Sequence, residues 1–266
     1  MNPSSRRYGT VTVWLCAALL PPAVLRTAIG ADSVIPLPNE DRERIEAGLG
    51  PGVIGKAVAA PTIKDPVVFF SMQTARSWRF RYTVGERKDK VEHYILSPRQ
   101  RAGDVTTWKA ITGPTTAMYF RTMKDGSVDL VSDEDRDEGL VTRYSPPVPF
   151  WVSNLEPGAV RRSQHSVKVY DLSDPREVSH RGSLNLVYTY VGAYEVIVPA
   201  GKFEAVLLKW EHKGKIGPAA IDDVQYILLA KGVGPVALLE KLDASAFLVH
   251  QRFEKNGRVL ISYGTP

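Results

Sequence analysis

Two runs of alternating residues, Tyr194 to Val198 and Phe203 to Trp210, are interrupted by Pro199-Ala200-Gly201, and that interruption constrains the architecture most. Proline has no N–H to give a sheet ladder, and its fixed φ suits the first inner position of a type I turn. A glycine two residues later suits the left-handed residue that completes a bulged hairpin. The chain is therefore expected to reverse at Pro199, with Gly201 closing the turn.

Similar punctuation recurs along the sequence. Trp78, Phe80, Tyr82 and Val84 fall on one face of an extended segment, and Arg79, Arg81 and Thr83 on the other, which is the pattern of a half-buried strand. Short strands are expected over Val91 to Leu96 and Thr106 to Ile111. A hairpin follows, with Ala117 to Met123 and Ser127 to Val131 flanking Lys124-Asp125-Gly126. Ser145-Pro146-Pro147-Val148-Pro149-Phe150-Trp151 cannot run through the middle of a sheet and reads as a crossing loop or edge segment. Beyond it lie Ser166 to Tyr170, Leu184 to Val191, and Val224 to Ala230 turning through Gly232 and Gly234 into Pro235 to Leu242. Asn256-Gly257 reads as a last hairpin turn between Ala246 to Phe253 and Arg258 to Tyr263. The expected fold is mainly β: one curved antiparallel sheet or half-barrel built as a hairpin meander, with a short helical N-terminal arm.

The first thirty residues place Arg6 and Arg7 ahead of an apolar run, Val11 to Leu25, that ends near Ala28-Ile29-Gly30. This is the layout of a cleaved secretory signal peptide. Pro21 and Pro22 break the run short of the ~20 apolar residues a spanning helix needs, so no membrane span is expected after cleavage and the address is periplasmic or secreted. Cys16, the one cysteine, lies within this leader, so disulfides, zinc-thiolate sites and cysteine nucleophiles are excluded from the processed chain. Three arginines leave with the leader and no acidic residue precedes Asp32, which lowers the formal charge from +5 to +2. That balance gives no case for a nucleic-acid partner. The expected organisation is a signal peptide over 1–30, a Gly/Pro/Ala-rich arm over 31–66 with a helix at Glu40 to Leu49, and a β domain over 67–266.

Val198-Pro199-Ala200-Gly201-Lys202-Phe203, followed by Gly232-Val233-Gly234-Pro235-Val236, resembles a loose group of exported, mostly uncharacterised Gram-negative β-sheet proteins that carry a VPAG-x-F hairpin and a GVG-x-V turn. The resemblance implies a strongly curved sheet, similar to the half-barrel of periplasmic lipoprotein carriers, with a helix or loop in its concavity. It brings no catalytic motif.

Candidate chemistry is sparse. Gly50 to Ala57 satisfies GxGxxG, but Ala57 stands where a phosphate loop needs Ser or Thr, and no βαβ unit surrounds it. Asp133, Asp135 and Asp137 form a weak calcium candidate inside a charge run that departs from the EF-hand pattern. His93, His165, His180, His212 and His250 never fall at helical zinc spacing, and neither GxSxG nor, after the leader, SxxK occurs. No catalytic residue, metal or cofactor is assigned. Trp78, Phe80, Tyr82, Trp108, Tyr188, Tyr190 and Trp210 are the candidates to line an apolar ligand cavity, the alternative being that they fill the core. The expected function is an envelope-associated binding protein for an apolar small molecule or lipid. Two alternatives stand beside it: an assembly partner of another envelope protein, and a hydrolase using dispersed His and carboxylate residues.

Overall fold

In the computed structural model, which describes residues 33–103, 105–246 and 250–266, the N-terminal arm holds β1 (Ser33–Val34), α1 (Asn39–Leu49), β2 (Ile54–Ala60) and the single-turn α2 (Pro66–Phe69). The leader and Cys16 lie outside the described residues. Helix α1 starts after Pro38, with no side-chain cap, and stops at Gly50, whose φ of 106° an L side chain resists. The GxGxxG segment forms a turn and then β2, which pairs antiparallel with the strand containing Ala193 to Val196. Its backbone amides serve a sheet rather than a phosphate cradle.

Twelve strands then follow as one meander: β3 (Arg76–Tyr82), β4 (Val91–Ala102), β5 (Val105–Thr112), β6 (Thr116–Thr122), β7 (Val128–Asp135), β8 (Leu140–Trp151), β9 (Val160–Asp171), β10 (Val178–Val198), β11 (Gly201–Ile216), β12 (Ala219–Ala230), β13 (Gly234–Ala246) and β14 (His250–Gly264). Each pairs antiparallel with the next, and β14 pairs back onto β3, with Arg258 opposite Tyr82 and Leu260 opposite Phe80. The result is a closed twelve-stranded barrel, which overturns the half-barrel and open curved sheet expected from the sequence. Enough twisted strands are present for the ends to meet, and closure removes the exposed edges an open sheet would carry.

Register separates the two faces of the wall. Tyr188, Trp210, Gln225 and Glu240 are successive cross-strand partners and share one face. Ring contacts between Phe150 on β8 and Trp210 on β11, strands that are not neighbours, identify that face as the interior. Arg79, Arg81, Lys213 and Lys215 point the other way and are exposed. No described helix is long and apolar enough to cross a membrane.

Helix α1 packs on the outer face. Asp41 accepts hydrogen bonds from Lys209 Nζ at 3.1 Å and Tyr226 Oη at 2.6 Å, and the backbone of Gly48 meets Leu239 and Gly257. The helix expected in the concavity is therefore outside it, and side chains fill the interior. The Asn256-Gly257 hairpin is also corrected, because β14 runs straight through both residues. Glycine is required at 257 because a Cβ there would lie 2.2 Å from the Gly48 carbonyl oxygen. By contrast, Val198 pairs with Gly201 across a two-residue turn at Pro199-Ala200, and Gly232 (φ 75°) and Gly234 (φ 94°) occupy the turn from β12 to β13.

Candidate functional site: a cleft between two parted strands

Strands β8 and β9 pair only from Leu140 opposite Asp171 to Ser145 opposite Ser166. Beyond that point their other partners pull them apart. Residues Val148 to Trp151 stay with β7, while Val160 to His165 stay with β10. The cause is legible in Pro146, Pro147 and Pro149, which lack the N–H a ladder needs, and pairing with β9 stops at Ser145, the residue before the first of them. The released end of β8 leans inward, bringing the Phe150 ring 4.5 Å from Phe120 and 4.9 Å from Trp210, and the Trp151 ring 4.7 Å from Phe70.

The parting opens a cleft of about 550 Å³ that runs from the outer surface toward the interior. Its apolar lining comes from Met123, Pro149, Val152, Leu186 and Tyr188, and its polar rim from Lys124, Asp125, Ser127, Asp129, Arg161, Arg162 and Ser163. Asp125 is occupied by Ser127, accepting from its backbone N–H at 2.9 Å and its hydroxyl at 3.0 Å. Burial pushes the Asp129 carboxyl above its ordinary range, with Arg121 opposing. Arg161 and Arg162 are exposed and form no ion pair among the described residues.

Ser163 of this lining is hydrogen-bonded to His165, which is not itself part of the lining and is 1% exposed. Its Nδ1 is 2.8 Å from the carbonyl oxygen of Pro146 and its Nε2 is 2.7 Å from Ser163 Oγ. A carbonyl oxygen can only accept, so Nδ1 carries the proton and donates. In the neutral ring Nε2 is then the acceptor for the Ser163 hydroxyl. The side chain ties the Pro146 carbonyl to β9 one residue past the last paired position of the two strands, Ser145 opposite Ser166. No nucleophile-elbow pattern marks this pair in the sequence. The available signal was Ser-x-His in a strand, which sets both side chains on one face.

The seven aromatics expected as cavity-lining residues all lie within the barrel's buried hydrophobic side chains. Trp78, Phe80, Tyr82, Trp108, Tyr188, Tyr190 and Trp210 are all buried, and Tyr188 alone among them lines the cleft. The Tyr188 hydroxyl donates to Phe150 O at 3.3 Å, and burial raises its pKa well above the ordinary phenol value. The opposite interior wall is polar. Arg258 bridges Glu92 at 3.1 Å and Glu240 at 3.3 Å and also bonds the Tyr94 hydroxyl. Glu240 and Asp223 are joined through Gln225, and His212 Nδ1 stands 3.4 Å from Asp223. His212 thus has a carboxylate neighbour, but inside the barrel wall rather than in the cleft. His93 and His180 are exposed, and the side chain of His250 lies outside the described residues.

The calcium candidates do not converge. Asp133 accepts from the Tyr144 hydroxyl at 2.6 Å, Asp135 caps the turn by accepting from the amides of Asp137 and Glu138, and no metal-holding cluster of three such groups occurs among the described residues. A second hollow, of about 480 Å³, lies outside the barrel against β2 and α2, with Val58, Val68, Phe69, Ala193 and Val206 in its lining and Lys64 and Lys231 at its margin.

No family model matches the chain, and no curated protein matches its sequence. Two solved structures are similar in shape. One, from Bacteroides fragilis, is described as an exported protein with a YmcC-like fold; the likeness spans 78% of this chain and 100% of that one at 14% identity and a TM-score of 0.41. The other, described as a lipoprotein from Parabacteroides distasonis, is matched over 74% of this chain and 99% of its own at 14% identity and a TM-score of 0.40. At these values neither bears on the site.

Proposed function

We propose that the protein is an exported, cell-envelope binding protein that seats an apolar ligand with a negatively charged end in the cleft between β8 and β9. Export rests on the leader-like first thirty residues. The observation that carries the ligand class is the pairing of an apolar lining, centred on Leu186 and Tyr188, with two exposed arginines that form no ion pair among the described residues, although Asp125 and Asp129 share the rim. An acyl chain gains from leaving water along that lining, by roughly 0.8 kcal/mol per buried methylene. A carboxylate or phosphate head meets guanidinium groups suited to bidentate bonding. The aromatic and ionic interior is structural in this reading.

The test is titration of the purified chain with a fluorescent fatty acid. Saturable binding at one site is expected. Arg161→Glu with Arg162→Glu should weaken it by about tenfold or more, equivalent to 1.4 kcal/mol, and Leu186→Trp should block it. Equal binding by all three proteins would remove the cleft as the site. The hollow against β2 and α2, with Val68 48% exposed, favours a second reading as a docking surface for another envelope protein. Crosslinking from a photoreactive residue at 68 tests it, and recovery of no discrete partner would count against it.

A further inference from the structure

Ser163 needs an account beyond ligand binding. Its hydroxyl lines the cleft, and its hydrogen is directed at a histidine nitrogen whose tautomer is set by a third group, the Pro146 carbonyl. A nucleophile, a base within 2.7 Å and an orienting acceptor 2.8 Å from the base's far nitrogen form the arrangement by which a serine is activated. The orienting group here is a backbone carbonyl where serine hydrolases often use a carboxylate; it fixes the ring but adds no full negative charge. Arg161 sits two residues earlier on the same strand face, opposite Tyr188 and without an ion pair among the described residues, so its guanidinium is available to negative charge developing beside Ser163.

We propose that Ser163 is an esterase nucleophile, with His165 as its general base, acting on carboxylic esters that enter the cleft. Ser163 Oγ attacks the ester carbonyl carbon while its proton passes to His165 Nε2, and the C–Oγ bond forms. The C–O bond to the leaving alcohol breaks, and that oxygen takes the proton from Nε2. A water molecule then attacks the acyl group, gives its proton to Nε2 and releases the carboxylic acid; the proton returns to Ser163 as the C–Oγ bond breaks. The released acid is an apolar chain with a negative end, the ligand class inferred above. The step rests on the cleft being open to ligands but on no particular ligand.

The histidine also ties β8 to β9, and a purely structural role would account for its burial. Covalent labelling separates the two roles, because holding strands together does not make a serine reactive. The full chain is incubated with an alkyl fluorophosphonate, which loses fluoride as the Ser Oγ–P bond forms, and is analysed by intact mass and peptide mapping. One added phosphonyl group at Ser163 is expected, with none in Ser163→Ala. Labelling should be about 100-fold slower or worse in His165→Asn, and the wild type should hydrolyse p-nitrophenyl butyrate where Ser163→Ala does not. Absence of label on the folded wild type overturns the proposal without any variant, as does label on another residue or an equal rate in His165→Asn. If the fluorescent fatty acid binds in the cleft and Ser163 stays unlabelled, the binding function stands and the esterase falls.

Discussion

Replacing Arg258 with methionine asks whether the polar wall holds the barrel together. The guanidinium lies 3.1 Å from Glu92 and 3.3 Å from Glu240; its side chain is 13% exposed, that of Glu92 5% and that of Glu240 29%. Methionine preserves much of the stem, so the loss is chiefly electrostatic. Removing one partner of a buried pair costs about 3–5 kcal/mol, because the remaining charge is desolvated and unpaired. Arg87 still faces Glu92 at 3.0 Å, but it is 44% exposed, and a solvent-screened partner restores about 1 kcal/mol at most. Glu240 is wet enough to add little. The expected net loss is therefore about 2–4 kcal/mol, or a fall in Tm of about 4–16 °C for a chain of this size.

The assay is urea unfolding followed by tryptophan fluorescence, with the slope checked for constancy so that the midpoint reports stability. Adding Glu92→Gln to Arg258→Met should restore more than half of the loss, since an amide in that position strands no charge. A single-variant loss under about 1 kcal/mol, or no recovery in the double variant, would refute the argument that Arg258 neutralises a buried carboxylate.

Gly257→Ala tests the docking of α1: a Cβ 2.2 Å from the Gly48 oxygen and 2.4 Å from Thr83 Oγ1 forces the helix outward. A loss of about 1–3 kcal/mol is expected, with faster proteolysis inside the arm, and unchanged stability would remove the close approach as the reason for this glycine. Asp133 gives a pH signature. Burial pushes its carboxyl up to about 6, against hydrogen bonds from Tyr144 and Thr142, so the folded state holds a proton that the unfolded chain has released. That contribution is complete below about pH 4 and is lost as pH rises through 6. Asp133→Asn should therefore gain on the wild type in urea midpoint between pH 4.5 and 7.5, and a difference that does not vary with pH would contradict the assignment.

Much of the wall was legible from residues two apart. The alternation at Trp78, Phe80 and Tyr82, the Lys124-Asp125-Gly126 turn and the reversal at Pro199 each depend on neighbours within a few positions. Closure was not legible, because the inner face of Phe80 reads the same in an open sheet and in a ring; only its neighbour Leu260, 180 positions away, separates them. Gly257 was misread for the same reason: a tight turn and a close-packed helix both demand glycine, and Gly48 is remote in sequence. The aromatics identified the interior, and one of them, Tyr188, reaches the candidate cleft. The candidate cleft lies where Pro146, Pro147 and Pro149 interrupt a ladder, and the proline segment was recognised as unfit for the middle of a sheet without its opposite bank, Arg161 to Ser163, being visible.

The join between the first and last barrel strands has a consequence for how the chain acquires its shape. Strand β3 waits for β14, and β2 waits for the far half of β10, so the pairings that complete the wall span most of the sequence. Such distant contacts must overcome loop-closure entropy before they return any stability, which makes folding slow. Until the last strand is delivered, β3 presents a bare ladder edge to any neighbouring chain, and a protein synthesised from its N-terminus keeps that edge open longest. Its time of greatest vulnerability to aggregation is thus set by the arrival of residues 250–264.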